Sequence, residues 1–250
     1  MADLNGKTVL VTGASRGIGA SIAIAAARAG ARVLLHATAR TDAIDKTASE
    51  IGASRSDIIC EDLAEPDAGF RLFEKALASA PRIDALVNNA GVYVESSLIG
   101  SRSEWTQSWA KTIAVNLQAP ADACFAAIEH FRKSGGGMVI NIASRAGHRG
   151  DSIDGAAYAA SKGAMLAMTK TFARQLAGEN MLFYAIAPGW VETRMAPKDI
   201  EARAKATAEI PLGRVADPDE VGALVAFLLT GACASATGAT FDINGASYVR

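Results

Sequence analysis

Nowhere in this 250-residue chain does an apolar run approach the ~18 residues that a membrane-spanning helix requires, so no membrane role is expected. Charge of one sign is also lacking. Lys and Arg number 25 against 26 Asp and Glu, the net charge is −1, and no basic stripe stands out. That excludes the electrostatic footprint of a nucleic-acid or membrane-surface binder. Cysteine is scarce: Cys60, Cys124 and Cys233 are far apart and form no Cys-x-x-Cys pair. A disulfide framework is thereby excluded, and the three thiols read as small core residues in a reducing compartment. The three histidines, His36, His130 and His148, show no ligand pairing, so no metal is expected. The opening Met1-Ala2-Asp3-Leu4-Asn5 lacks the pattern of a secretory signal, which points to a cytoplasmic location.

What the chain does have is half apolar residues and a fifth charged ones, the composition of a compact folded protein. Its most informative stretch is Val9-Leu10-Val11-Thr12-Gly13-Ala14-Ser15-Arg16-Gly17-Ile18-Gly19. Lys7 to Val11 reads as a buried strand, and Ala20 to Ala29, mostly alanine and isoleucine, as a helix stopped at Gly30. The glycines between them supply φ > 0 and let a ligand approach where a Cβ would block it. The helix that starts there aims unpaired N–H groups and a partial positive charge over the turn, a setting for a pyrophosphate. Gly13, Ser15, Arg16, Gly17, Ile18 and Gly19 are therefore candidate dinucleotide-binding residues.

The same alternation continues. Strands are expected at 32–36, 57–60, 83–88, 138–143, 181–187 and 240–243. Helices are expected at 42–51, from Pro66 to Ser79, over 103–133 with a break near Asn116, at 157–177 and at 218–229. The charged, alanine-rich stretch 194–209 reads as a helical flap. Strands that are mostly continuous apolar runs, alternating with helices, predict one α/β domain over residues 1–250. This is a doubly wound, Rossmann-type sheet of about seven parallel strands, with helices on both faces. Ligands bind beyond the carboxyl ends of such strands. Chemistry is thus expected at 12–19, 37–41, 61–63, 89–94, 144–155 and 188–193.

Tyr158-Ala-Ala-Ser-Lys162 opens one of the predicted helices, and a spacing of four sets both side chains on one face. An ammonium close to a phenol lowers its pKa from ~10 toward neutrality, making it a proton donor or acceptor for a carbonyl–alcohol pair. Ser144 closes the fifth strand, where its hydroxyl could orient the same carbonyl; Ser152 and Ser161 are rivals that follow no strand directly.

The Thr12-Gly13-x-x-x-Gly17-x-Gly19 turn, Asn88-Asn89-Ala90-Gly91, Ser144, Tyr158-x-x-x-Lys162 and Pro188-Gly189 stand in the order of one known family. Over essentially its whole length the chain resembles the short-chain dehydrogenase/reductases, in the branch similar to 3-oxoacyl-carrier-protein reductases. The resemblance implies Tyr158 as general acid/base, Lys162 as its modulator and holder of the nicotinamide ribose, and Ser144 as the group polarising the carbonyl. It implies a catalytic role for Asn116, holding a proton-relay water behind the lysine. Asn89, Ala90 and Gly91 would line the adenosine ribose, Asp62 beside Leu63 would take the adenine amino group, and Pro188, Gly189, Val191 and Thr193 would hold the carboxamide. A homotetramer, or failing that a dimer, is the family's assembly.

In dinucleotide folds that prefer NAD an acid at the end of strand two binds the ribose 2′-hydroxyl. Here that end reads His36-Ala37-Thr38-Ala39-Arg40, with no carboxylate before Asp42. Arg16 and Arg40, with Thr38 between the strand and Arg40, are placed for a 2′-phosphate, which favours NADP(H) over NAD(H). Substrate-lining candidates are Val92, Tyr93, Val94, Arg145, His148, Arg149, Tyr184 and Trp190. Arg145, His148 and Arg149 would draw an anion, but Asp151 and Asp154 follow and offset them. The expected activity is hydride transfer between NADP(H) and a small carbonyl or secondary alcohol. The alternatives are a dinucleotide-sensing regulator, an NAD-dependent alcohol or sugar dehydrogenase, and a dehydration or epimerisation on the same fold.

Overall fold

The computed structural model describes residues 2–196 and 199–250. Seven strands, β1 (Thr8–Val11), β2 (Arg32–Ala37), β3 (Ile58–Cys60), β4 (Ala85–Asn88), β5 (Gly137–Ile142), β6 (Met181–Pro188) and β7 (Thr240–Ile243), form one sheet. Their order is β3-β2-β1-β4-β5-β6-β7, and every pairing is parallel. The helices are α1 (Gly17–Arg28), α2 (Asp42–Ile51), α3 (Ala68–Ser79), α4 (Arg102–Ile113), α5 (Ala119–Ser134), α6 (Ala146–Arg149), α7 (Ala156–Leu176), α8 (Ile200–Ala208) and α9 (Pro218–Leu229). Among the described residues no helix is long and apolar enough to cross a membrane.

The pleat sends alternate side chains to opposite faces. Val9, Val11, Val33, Leu35, Ile140 and Ile186 pack against α1, α2 and α9 in one core. Leu10, Leu34, Leu86, Val139 and Phe183 pack against α3, α5 and the end of α7 in the other. Both faces are covered, which is why the strands read as apolar runs rather than as alternating ones. The order reverses between β1 and β4, so the loops after those two strands flank the crevice of a doubly wound sheet.

Several expectations need correction. Helix α3 starts at Ala68, not Pro66, because Asp67 takes a left-handed φ of 58° and only then admits helical geometry. The break expected near Asn116 is instead a π-helical turn, Ala114–Gln118, that carries α4 into α5 without interruption. The 194–209 flap is helical only in α8, and its Pro197 and Lys198 lie outside the described residues. Cys124 is buried, and burial pushes its thiol up to about 12. Cys60 is half-buried and Cys233 exposed, so the three thiols do not share a core role.

A buried polar chain ties β4, β5 and α7 together near the ligand edge. Asn88 Nδ2 donates to Asn141 Oδ1 at 2.9 Å, Asn141 Nδ2 donates to Thr169 Oγ1 at 2.8 Å, and Thr169 Oγ1 donates to the Met165 carbonyl at 2.8 Å. Removing one member strands the others away from water. Asn141→Val should therefore cost about 1–3 kcal/mol, read as a lower denaturation midpoint, and more than Val139→Ala-type trimming of equal volume would suggest.

Candidate active site

The glycine turn is fixed from three sides. Thr12 Oγ1 accepts from the N–H groups of Asn89 and Ala90, each at 2.9 Å, and Asn89 Nδ2 donates to the Thr12 carbonyl at 2.8 Å. Gly13 N–H donates to His36 Nδ1 at 3.1 Å, and His36 Nε2 lies 2.9 Å from the Glu61 carbonyl. Thr193 closes the third side, its methyl 3.1 Å from where a Gly17 Cβ would stand. A Cβ on Gly13 would meet the Ala90 backbone at 2.9 Å, and one on Gly19 the Gly13 carbonyl at 2.2 Å. Gly13 and Gly17 have φ of 65° and 55°.

Helix α1 opens at Gly17 with no side chain capping its N–H groups, and Arg16 stands exposed just before it. Free helical donors above a bare backbone turn fit a pyrophosphate. Ser15 and Ile18 complete the turn, with Ile18 packed on the core below. At the end of β2, Thr38 is exposed and no carboxylate follows until Asp42, so the 2′ position of a ribose would meet no acid. Arg40, however, is paired with Asp45 at 2.5 Å, so Arg16 is the unengaged one of the two expected phosphate ligands among the described residues. Asp62 Oδ1 accepts from Ala64 N–H at 3.0 Å, the loop-capping role, while Leu63 is buried beneath it.

On the other side of the crevice, Ser144 lies two residues beyond β5 with its Oγ accepting from Ala146 N–H at 3.1 Å. Its hydroxyl faces the Tyr158 phenol and lowers that pKa, but burial outweighs it and holds the phenol above its usual value. Lys162 is buried. Its Nζ donates to the Ile142 carbonyl at 2.7 Å and stands 5.8 Å from the centre of the Tyr158 ring. Burial brings the Lys162 amine down to about 8. The depressed phenol pKa expected from the Tyr–Lys spacing is thus not expressed here: desolvation disfavours the charged form of both groups.

Asn116, aimed inward by the π-helical turn, accepts from Val92 N–H at 2.8 Å and donates to the Val92 carbonyl at 2.9 Å and to Ser161 Oγ at 3.2 Å. Gly91 fills the gap between, since a Cβ there would lie 3.4 Å from Asn116 Oδ1 and 3.5 Å from Lys162 Nζ. Pro188 ends β6, its carbonyl accepting from Arg145 N–H at 2.9 Å, and Gly189 and Val191 carry the chain toward Thr193. Tyr93 stands over Tyr158 with ring centres 5.3 Å apart and touches Ser152 Oγ at 3.2 Å.

The structure also removes one candidate substrate residue: Tyr184 is fully buried in the core, its hydroxyl donating to the Cys233 carbonyl. His148 is half-buried and stacks on Tyr248. Sequence reading missed His36 as a support of the glycine turn. Its sole signal was a polar residue at the penultimate position of a buried strand.

The same order of parts is found in known proteins. The sequence profile described as short chain dehydrogenase matches residues 7–204. The chain belongs to that family. This short-chain dehydrogenase is therefore an oxidoreductase of the nicotinamide-dependent, hydride-transferring kind. It is 34% identical over 245 residues to the 3-oxoacyl-[acyl-carrier-protein] reductase FabG of Thermotoga maritima, covering 97% of this chain and 98% of that one. It is 36% identical over 250 residues to the protein FixR of Bradyrhizobium diazoefficiens, covering 97% and 87%. Among solved structures it superimposes with a TM-score of 0.88 on a candidate NAD(P)-dependent gluconate 5-dehydrogenase from Beutenbergia cavernae with NADP bound at low occupancy. That pair is 33% identical, with 97% of each chain covered.

The dehydrogenase's His36 accepts from Gly13, so it must be neutral with its proton on Nε2; a second proton would sit against the Gly13 N–H. Burial lowers its pKa, with the Glu61 carbonyl and carboxylate opposing. The unfolded chain takes up a proton near pH ~6.5 while the folded chain does not, so stability falls as pH drops below that value. Denaturant unfolding should show the midpoint falling more steeply from pH 7 to pH 5 in the wild type than in His36→Asn, which retains an acceptor but no titration. Equal slopes would remove His36 from that role.

Proposed function

We propose that this protein interconverts a carbonyl compound and a secondary alcohol with NADP(H), using Tyr158 as general acid/base, in one domain spanning residues 1–250. The observation that carries the reading is the meeting of Ser144, Tyr158, Lys162, Asn116 and Gly91 at the sheet edge that also holds the glycine turn. A pure dinucleotide binder would need the turn alone. When bound, the reduced nicotinamide supplies the hydride that the carbonyl carbon accepts. Ser144 donates a hydrogen bond to the carbonyl oxygen, and Tyr158 Oη delivers the proton that this oxygen takes up. Lys162 holds the ribose side through Nζ and, when protonated, favours the phenolate left behind. Asn116 holds the 92 loop in register with α7 and so keeps Gly91 against the lysine.

NADP(H) preference rests on the missing acid at the end of β2, where Ala37 stands, on Arg16 beside the turn and on the NADP bound by the Beutenbergia relative. Arg40 joins Arg16 only by leaving Asp45. Asn89, Ala90 and Gly91, with Asp62 and Leu63, line the adenosine side, and Pro188, Gly189, Val191 and Thr193 the carboxamide side. A cytoplasmic location accords with three unpaired thiols.

A homotetramer is the assembly we favour. Phe125 on α5 and Phe227 on α9 are exposed apolar residues on two separate elements, and β7 is an unpaired sheet edge. Two distinct self-complementary surfaces are what a tetramer of dihedral symmetry needs. Light scattering should return the mass of four 25.8 kDa chains, and Phe125→Asp should reduce it to that of two or one.

Tyr158→Phe should lower kcat by roughly 10²–10⁴ while NADPH still binds, as followed by its fluorescence. Because burial keeps the phenol protonated, wild-type carbonyl reduction should slow, and alcohol oxidation quicken, as pH rises. Arg16→Ala should raise the KM for NADPH tenfold or more and leave that for NADH nearly unmoved. Full turnover by Tyr158→Phe would refute the acid/base assignment; substrate conversion without net NADPH loss would favour a dehydration or epimerisation on this fold, and tight NADPH binding with no turnover of any carbonyl compound a regulator.

A further inference from the structure

The residue directly after Ser144 is an arginine with almost no exposure, which is costly for a charge unless hydrogen bonds and a counter-ion replace its water. Among the described residues its guanidinium has one acceptor within hydrogen-bond distance, the neutral Ser247 hydroxyl. Asp154 does not offset it as adjacency in sequence suggests. The carboxylate nearest to it is Glu209, just beyond the end of α8 on the flap, 3.7 Å from Arg145 Nη2 and 3.6 Å from Arg149 Nη2. Those are loose contacts beside the 2.7 Å pairing of Arg32 with Asp57 or of Arg71 with Glu61.

Glu209 shares its one charge between two guanidiniums while belonging to a segment tied to the body by an Arg203–Glu192 pair. Glu209 and Arg149 also line a cleft of about 520 Å³, with Asp151, Ser152, Trp190 and Lys205. Counting Arg145, three cations there face two carboxylates, and Asp151 Oδ1 already accepts from Ser152 N–H at 2.8 Å. Ser152 links the cleft to the reaction centre through Tyr93, whose ring lies against Tyr158.

We propose that the substrate carries a carboxylate, which Arg145 and Arg149 bind as a bidentate anion in the place that Glu209 takes here. Guanidinium pairs hold a compact carboxylate through parallel charge-assisted hydrogen bonds that a distant, shared side chain does not make. The flap's own carboxylate then acts as an internal competitor, leaving as the oxo acid or hydroxy acid enters. The inference rests on the oxidoreductase reading for its reaction but not for its binding site.

The test compares straight-chain oxo acids of four to six carbons with their methyl esters, NADPH loss being followed for the wild type, Arg149→Gln and Glu209→Gln. The wild type should favour acid over ester at least tenfold in kcat/KM, mainly through KM. Arg149→Gln should lower that ratio tenfold or more, and Glu209→Gln should raise it several-fold. Ester turnover equal to acid turnover, or a ratio unmoved by both variants, overturns the inference and leaves the oxidoreductase reading standing. Calorimetric titration of the NADP-saturated protein with pentanoate decides the case where no compound is reduced. Pentanoate binding that Arg149→Gln weakens tenfold supports the clamp and counts against the reaction; no binding, or binding indifferent to Arg149→Gln, refutes the clamp.

Discussion

Two backbone N–H groups, those of Asn89 and Ala90, converge on the hydroxyl of Thr12, and the crevice depends on that junction. It joins the loops after β1 and β4, the two strands between which the winding of the sheet reverses. The Asn89 side chain reinforces it from the same loop, donating through Nδ2 to the Thr12 carbonyl. With the junction made, the glycine turn has the Ala90 backbone on one side and His36 on the other, and no Cβ fits between. The turn is held by contact, which a glycine-rich segment, with its large entropy to lose, does not achieve alone.

The opposite wall of the crevice is governed by desolvation. Lys162 and Tyr158 are both set where water is scarce, and each is pushed toward its neutral form. A neutral phenol and an amine brought down to about 8 form a resting pair that responds to charge brought from outside. Positive charge arriving near the phenol favours its ionised form, so proton transfer is coupled to whether the crevice is filled. The low dielectric that raises the phenol's pKa at rest also strengthens any such field.

Much of this was legible in the sequence because the signals were local. Largely apolar runs of four to seven residues between helical patterns marked the strand positions, and Pro218 and Asp42 marked helix starts that the structure keeps. The Tyr158–Lys162 spacing placed both side chains on one face. Features that depend on partners far along the chain were not legible. Arg40 looked available until Asp45 turned toward it, and Tyr184 looked like a site residue until the core enclosed it. Arg145 looked neutralised by the acids next to it in sequence, whereas its counter-ion comes from a flap more than sixty residues away. Asp67, with its left-handed backbone, displaced a helix start that Pro66 alone would have set.

The π-helical turn at 114–118 makes the aim of Asn116 a matter of residue count rather than residue type. An α-helix turns about 100° per residue, and a single-turn π segment holds one residue more than the helix would. Deleting any one residue there would restore an ordinary ladder from α4 to α5 and swing every side chain on one flank by roughly that angle. Asn116 would leave Val92 and Ser161 with its chemistry intact and its bearing lost. Along this rod, length is thus the more heavily constrained property, and substitutions would be tolerated where a single deletion would not.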